Sequence, residues 1–151
     1  MDEITEYTKQ VYAQLKAQDP SGKSIMPPPL YDLGMNFIAC EPGKSAKVSF
    51  PIKESYNNPF GITFGGYFSM FFDAAFGPYS GLTANAPTTS LDLNVTFLKP
   101  ISPKDEEVII EVEVVSQTKS YLILHGKALK KDGTLVATAT SRLYIMKKKD
   151  G

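Results

Sequence analysis

Asn58-Pro59-Phe60-Gly61-Ile62-Thr63-Phe64-Gly65-Gly66 joins a loop to an apolar helix, and this junction is the most informative part of the chain. The Asn, Pro and Gly residues in its first half are typical of a loop. From Gly65 to about Gly77 the residues are apolar on almost every side, which predicts one helix that carries Asp73. A helix of this kind must be buried on most sides, so we expect a sheet that wraps around it.

Strand patterns lie on both sides of this helix. In Leu91–Phe97 apolar and polar residues alternate, which predicts a strand with one half-buried face. The other predicted strands are 33–40 and 46–52 before the helix, and 108–115, 121–129 and 135–146 after it. Long strands joined by short turns indicate an antiparallel meander.

The N-terminal part of the chain predicts a second, outer helix. Apolar residues recur at helical spacing from Asp2 to about Ala17, Asp19-Pro20-Ser21-Gly22 ends the helix, and Pro27-Pro28-Pro29 forms a rigid connector. The prediction is therefore a single α+β domain spanning residues 1–151. In it a long antiparallel sheet wraps around one central apolar helix, and residues 1–30 supply the outer helix and the Pro-rich connector.

Composition excludes several classes of protein. Sixteen basic residues balance 16 acidic ones, whereas a dedicated nucleic-acid binder usually has a strong basic bias. One cysteine, Cys40, cannot form an internal disulfide, and one histidine with one cysteine argues against a metal site. The N-terminus is acidic without an apolar run, which argues against a signal peptide. The apolar stretch 64–82 contains Asp73 and Pro78, which argues against a membrane helix. We expect a cytoplasmic protein.

The glycine pair at the predicted helix start suits acyl transfer. Glycine lets a substrate approach the backbone closely, and the first N–H groups of a helix have no internal partner. An acyl carbonyl placed there would have its developing oxyanion stabilised, and Gly65 is the candidate donor. The alternative is that Gly65 and Gly66 only allow a tight turn into the helix.

Two further side chains could carry chemistry. Asp73 lies in an apolar run, where a carboxylate is costly unless it has partners or a task, and it suits a general base or nucleophile. The alternative is a structural carboxylate that caps a neighbouring loop. Ser90 opens the strand after the helix, where its hydroxyl could hold a water or a leaving sulfur. The alternative is an ordinary strand-entry turn.

Other catalytic schemes find no support in the sequence. A Ser-His-Asp triad needs a histidine, but the only one, His125, lies in the middle of a predicted strand. No G-x-S-x-G elbow, G-x-G-x-x-G loop or P-loop pattern occurs. We therefore expect neither a nucleotide cofactor nor any other separate cofactor.

The central segment resembles the signature of hotdog-fold acyl-CoA thioesterases, in the phenylacetate-pathway branch related to hydroxybenzoyl-CoA thioesterases. That signature is Asn-x-x-Gly-x-x-His-Gly-Gly, followed by an Asp on the helix. Asn58, Gly61, Gly65, Gly66 and Asp73 match it in type and spacing. The segment 90–100, which ends in Pro, resembles the family's next strand, and the resemblance covers roughly residues 33–146.

The resemblance implies a role for each matched residue. The Gly65 N–H would polarise the thioester carbonyl, with Asn58 helping to position it and Gly61 and Gly66 belonging to the substrate-binding loop. Asp73 of a neighbouring subunit would attack or activate water, and Ser90 matches a hydroxyl that assists in some members. Coenzyme A would enter only as part of the substrate, and the protein would form a homodimer or a homotetramer.

One residue departs from the signature, because Phe64 replaces its histidine. Phe cannot make the hydrogen bonds that would hold the loop, although the backbone donor and the carboxylate remain. Phe64 could instead belong to the acyl pocket. Three hypotheses follow: an acyl-CoA hydrolase, an acyl-thioester-binding protein with little hydrolysis, and a hotdog hydratase or dehydratase. The third is disfavoured, because that chemistry calls on a well-placed histidine.

Overall fold

The computed structural model describes residues 5–18 and 32–146. These residues form two helices, α1 (Glu6–Gln18) and α2 (Gly65–Ala84). The six strands among them are β1 (Asn36–Glu41), β2 (Ser45–Pro51), β3 (Thr88–Phe97), β4 (Glu107–Gln117), β5 (Tyr121–Leu129) and β6 (Leu135–Ile145). Short 3-10 turns cover Glu54–Tyr56 and Pro103–Asp105. The elements predicted for residues 33–146 are all present, with strand ends that differ by at most three residues and a central helix that runs past its predicted end.

All six strands belong to one antiparallel sheet with the order β1-β2-β4-β5-β6-β3. The predicted meander is therefore right for β4, β5 and β6 and wrong for β3, which pairs with β6 at the far edge. The physical reason is the position of α2, which precedes β3 in the chain and contacts every strand from β2 to β6. Because α2 crosses the sheet from β2 to β6, the chain that leaves the helix forms β3 at the edge beyond β6.

The central helix packs one broad face into the sheet. Phe72 and Phe76 lie so close to β5 that a Cβ at Gly126 would come within 2.9 Å of their rings. The main fully buried aromatic side chains of α2 are Phe71, Phe72, Phe76 and Tyr79. Burying each such side chain contributes about 1.5–3 kcal/mol to stability.

The helix runs past its predicted end. It continues beyond Gly77 and through Pro78 to Ala84, where Asn85 takes a left-handed conformation with φ 49°. A proline inside a helix costs about 3 kcal/mol. Burial of Tyr79 and Leu82, both packed into the core after the proline, offsets this cost.

The composition of the central helix suggested that it would be covered on almost every side, but the structure leaves one side exposed. Gly66, Met70 and Asp73 are exposed and follow one another at helical spacing, so they form an outward stripe along α2. Asp73 therefore lies at the surface of the single chain and not in apolar surroundings. Its sequence neighbours Phe72 and Ala74 point into the core instead.

The outer helix α1 packs against β1 and α2. The Thr8 hydroxyl is buried, donates to Asn36 Oδ1 at 2.7 Å and accepts from the Phe37 N–H at 2.7 Å. Val11 is also buried, whereas Tyr7, four residues before it, is 45% exposed. The predicted helix start, the helix stop at 19–22 and the Pro connector at 27–29 lie outside the described residues.

Candidate active site

The loop before α2 is closed by hydrogen bonds around Asn58. Its side-chain Oδ1 accepts from the N–H groups of Phe60 at 2.9 Å and Ile62 at 3.3 Å. Its backbone N–H donates to the Ile62 carbonyl at 2.7 Å, and its carbonyl accepts from the Gly61 N–H at 3.0 Å. Gly61 has φ +78°, which a residue with a Cβ rarely adopts. Asn58 and Gly61 therefore shape the loop before α2. Neither of them contacts Asp73, which lies farther along the helix.

Backbone contacts then hold the end of the loop. The Phe64 N–H donates to the Tyr56 carbonyl at 2.8 Å, and the Thr63 N–H donates to the Ile101 carbonyl at 2.9 Å. The Tyr56 ring stacks on Tyr67 in the first turn of α2, with ring centroids 4.1 Å apart, and burial raises the pKa of the Tyr56 phenol. The helix start is thus anchored without the histidine of the signature.

The N-terminus of α2 presents free backbone donors. Phe64 is the N-cap residue and has no side-chain capping bond. Within the described part of the chain, the N–H groups of Gly65 and Gly66 meet no hydrogen-bond acceptor. Both lie at the positive end of a 20-residue helix, where an anionic oxygen is stabilised.

The two glycines have different surroundings. A Cβ at Gly65 would lie 3.2 Å from Cζ of Phe97, whereas a Cβ at Gly66 would meet nothing within 4 Å. Phe97 is held by an edge-to-face contact with the buried Phe68, with ring centroids 5.8 Å apart. The Phe97 and Phe64 rings, 55% and 50% exposed, therefore make the surface around the free donors apolar.

Asp73 and Ser90 form the second half of the candidate site. The Ser90 hydroxyl donates to Asp73 Oδ1 at 3.3 Å, and both residues are exposed. Ser90 is the third residue of β3, which begins at Thr88, so it does not open the strand as predicted. A carboxylate with a hydroxyl beside it, open to solvent on a rigid helix, can accept a proton from water or attack an electrophile.

A β-bulge turns Ser90 toward α2. Ser90 lies opposite the buried Leu143, whereas Asp92 lies opposite the exposed Arg142, and the register shifts between them. In a regular strand, residues two positions apart lie on the same face of the sheet. Leu91 is the extra residue and is 55% exposed, although its alternation with Leu93 placed it on the half-buried face.

One chain does not bring the two halves of the site together. Gly65 and Asp73 lie eight residues apart on the same helix, a rise of about 12 Å. A carbonyl bound at the Gly65 N–H is therefore out of reach of the carboxylate of the same chain.

His125 lies away from the site. Its neighbours Leu124 and Gly126 are buried against α2, so His125 points to the opposite face of the sheet, with Nδ1 3.5 Å from Glu113 Oε1. Within one chain His125 therefore lies too far from Ser90 and Asp73 to form a triad with them.

Sequence reasoning did not identify Phe97 or Asp92 as parts of the site's surroundings. The alternation in β3 placed Phe97 on the helix side of the sheet, but nothing local shows that its ring meets Gly65. Nothing in the sequence pointed to Asp92 as a neighbour of the site, except that it lies two residues after Ser90. Its contacts depend on the pairing of β3 with β6.

Comparisons with known proteins agree with this fold. A phenylacetic acid degradation-related protein from Ralstonia eutropha JMP134 superposes with TM-score 0.75 at 22% identity, covering 87% of this chain and 98% of its own. A mutant of the phenylacetic acid degradation protein PaaI from Thermus thermophilus gives TM-score 0.70 at 20% identity, with 79% and 99% covered. A Streptococcus mutans UA159 protein bound to acetyl-CoA gives 0.69 at 19% identity, with 77% and 91% covered.

The predicted hotdog fold is confirmed by these likenesses together with the wrapped sheet and central helix. No curated protein matches the sequence. None of the described helices combines the length and apolar character needed to cross a membrane. Residues 60–137, more than half of the chain, match the thioesterase superfamily and include α2, Asp73 and Ser90. This chain therefore belongs to the thioesterase superfamily.

Proposed function

We propose that this protein hydrolyses an acyl-CoA, or a related acyl-thioester, to the free acid and the thiol. The observation that carries the proposal is the exposed Asp73 carboxylate with the Ser90 hydroxyl 3.3 Å away. The free N–H groups at the start of the same helix supply the second requirement, a donor for the oxyanion. Coenzyme A takes part only as the leaving group of the substrate, and no separate cofactor is needed.

A second copy of the chain completes the site in this proposal. Because about 12 Å of helix separates Gly65 from Asp73, the carboxylate that serves one carbonyl comes from the neighbouring subunit. The outward stripe of α2 and the unpaired edge of β3 offer the surface for this pairing. Leu91, Leu98 and Met70 are 55%, 51% and 44% exposed there, as expected of an association surface.

The reaction follows from these positions. The thioester carbonyl accepts a hydrogen bond from the Gly65 N–H, with the loop shaped by Asn58, Gly61 and Phe64 beside it. Asp73 of the neighbouring subunit takes a proton from water while the water oxygen bonds to the carbonyl carbon. The tetrahedral intermediate then breaks its C–S bond and releases the thiolate, which takes up a proton. Ser90 orients the carboxylate or the water through its hydroxyl.

CoA as the carrier draws support from one structural neighbour, the Streptococcus mutans protein, which is bound to acetyl-CoA. A homodimer or a homotetramer built from two dimers is part of the same proposal. So is a cytoplasmic location, which the single cysteine supports.

The Asp73→Asn variant tests the catalytic assignment. The amide keeps the shape of the side chain and loses its basicity, so kcat should fall about 100- to 10,000-fold while the melting temperature stays unchanged. Release of free thiol from acyl-CoA is the measurement. Glu113→Gln, an exposed carboxylate on the opposite face of the sheet, is the matched control and should keep full activity. Wild-type turnover by Asp73→Asn would make Asp73 structural.

A second candidate function is acyl-thioester binding with little hydrolysis. It is favoured by Phe64, which replaces the signature histidine with a half-exposed apolar ring at the free donors. Titration with a non-hydrolysable acyl-CoA thioether measures binding independently of turnover. Tight binding without thiol release from the matching thioester would select this function.

A further inference from the structure

We propose that Phe97 is a specificity-determining residue, whose ring forms a wall beside the Gly65 N–H and selects a neutral, apolar acyl group. This inference rests on the proposed function, because it names the class of acyl group that the same site accepts. Phe97 is the last residue of β3 and takes no part in the reaction as proposed.

Phe97 lies on the side of the sheet that faces α2. In the ladder with β6 it lies opposite Ala137, whose side chain is fully buried in the core. Residues that lie opposite each other in a ladder project to the same face of the sheet. The next residue, Leu98, donates its N–H to the Val136 carbonyl at 2.9 Å, so the backbone on both sides of the ring is held.

The ring lies next to the Gly65 donor. A Cβ on Gly65 would be 3.2 Å from Cζ and 3.3 Å from Cε1 of Phe97. Because a Cβ lies about 2.5 Å from the nitrogen of its own residue, Cζ is at most about 5.7 Å from the Gly65 nitrogen. A carbonyl oxygen bound at this N–H would lie about 2.9 Å from the nitrogen. The first carbons of the acyl group would then follow within reach of the ring.

The Phe97 ring is held on one side and open on the other. It packs edge-to-face on the buried Phe68, with ring centroids 5.8 Å apart. Even so, about half of the side chain is exposed in the single chain. Covering exposed apolar surface is favourable, and a ring that is already held loses little freedom when an acyl group covers it.

A charged acyl group would find no partner in the segments that form this surface. Residues 56–72, which comprise the loop and the first two turns of α2, contain no Lys, Arg, His, Asp or Glu. A carboxylate buried there without a partner would be costly. In the proposed reaction Asp73 of the neighbouring subunit lies near the carbonyl, and its negative charge would repel a second carboxylate. The site therefore favours acyl groups without charge.

Isovaleryl-CoA and malonyl-CoA test this selectivity, because their acyl groups have nearly the same shape and differ in charge. The wild type should hydrolyse isovaleryl-CoA with the higher kcat/KM. Phe97→Ala should lower kcat/KM on isovaleryl-CoA about tenfold, chiefly through KM, since the ring contacts the acyl group before and during the reaction. On malonyl-CoA the value should hardly change. Equal use of both substrates by the wild type would overturn the proposal.

Phe97→Arg should shift the preference in the opposite direction. The guanidinium supplies a partner for the malonyl carboxylate, so the ratio of kcat/KM for malonyl-CoA to that for isovaleryl-CoA should rise at least about tenfold. Phe97→Leu keeps an apolar side chain, should lie between the wild type and Phe97→Ala, and replaces the latter if it fails to fold.

Tyr7→Ala is the matched control. It removes a ring of similar exposure from α1, which packs on β1 at the opposite edge of the sheet from β3. Both substrates should be hydrolysed as by the wild type. Equal losses on both substrates in Phe97→Ala would overturn the proposal, since they would mean that the ring only positions Gly65. Dissociation of Phe97→Ala in light scattering would overturn it as well, by assigning the ring to the association surface.

Binding measurements separate a failure of this inference from a failure of the proposed function. Thiol release by the wild type with unchanged selectivity in the Phe97 variants would overturn the inference alone. If the wild type releases no thiol, the proposed function fails, and titration with the non-hydrolysable thioether analogues of the two substrates decides the role of Phe97. Weaker binding of the isovaleryl analogue alone by Phe97→Ala would retain that role. Equal binding by both proteins, or binding by neither, would overturn it.

Discussion

Phe64 stands where the family signature has a histidine, and the loop before it is closed without that side chain. The loop it closes is held by backbone hydrogen bonds from Thr63 and Phe64 and by the Asn58 side chain. None of these bonds requires a histidine at position 64. What the Phe ring adds is apolar surface next to the free N–H groups of Gly65 and Gly66.

Phe64→His should raise the rate of thioester hydrolysis about tenfold, roughly 1.4 kcal/mol of barrier, because the loop gains one hydrogen-bonding side chain. The ring is half exposed, so the melting temperature should hardly change. Steady-state rates on a short and a long acyl-CoA, with a melting curve, measure both. A lower rate on the long substrate alone would mean that Phe64 is a wall of the acyl pocket.

Gly65 allows its N–H to be tested separately from its lack of a side chain. Proline is tolerated at the first position of a helix and removes the N–H, whereas alanine keeps it. Gly65→Pro should therefore lower kcat about 100- to 1,000-fold. Gly65→Ala controls for the added Cβ, which meets Phe97 at 3.2 Å, and should cost far less. Equal losses in both variants would assign the effect to packing against Phe97.

At the scale of elements, the site depends on how α2 and β3 are placed. The helix carries both Gly65 and Asp73 and is held by its buried aromatic face. Among the described residues β3 is an edge strand, so its register is set by its ladder with β6 and by its packing on α2. The Asp92–Arg142 pair belongs to this ladder and lies on the outer face of the sheet.

Acid should weaken the pairing of β3 with β6. The pKa of Asp92 is lower in the folded protein than in the unfolded chain, because the Arg142 N–H and guanidinium stabilise its carboxylate. This contribution to stability is fully present above the unfolded pKa and is lost as the pH falls through the folded pKa. Asp92→Asn should therefore melt earlier than the wild type at pH 7, and the difference should shrink below about pH 4. A difference that stays constant down to pH 2 would contradict this.

At the scale of the whole molecule, the separation of Gly65 and Asp73 argues for association. Among the described residues of a single chain, the outer edge of β3 has no pairing strand, and Leu91 and Phe97 on this strand are exposed. Light scattering should find at least a dimer, and a stable monomer at micromolar concentration would contradict the proposed site.

Mixing two inactive variants tests whether subunits share a site. In a heterodimer of Asp73→Asn and Gly65→Pro, one site carries both changes and the other carries neither. After random exchange of subunits the mixture should regain about a quarter of the wild-type activity. Each variant alone, unfolded and refolded in the same way, is the control. No recovery despite heterodimers seen by native mass spectrometry would place the donor and the carboxylate in one chain.

Local sequence was sufficient for most of the elements. Apolar patterns located α2 from Gly65 and most of the strands. These predictions succeed because the pattern of side chains within one segment reflects whether it is a helix or a strand and which face is buried. The acyl-transfer site at Asn58, Gly65 and Asp73 came from the resemblance to the family signature and stays a prediction.

Tertiary contacts decided the rest. The position of β3 beyond β6, the extra residue at Leu91 and the turning of Ser90 toward Asp73 all depend on pairing with residues about 50 positions away. The continuation of α2 through Pro78 likewise depends on the burial of Tyr79 and Leu82. A local pattern reports the preference of its own segment, whereas register, bulges and helix ends follow from free energies summed over contacts between distant segments.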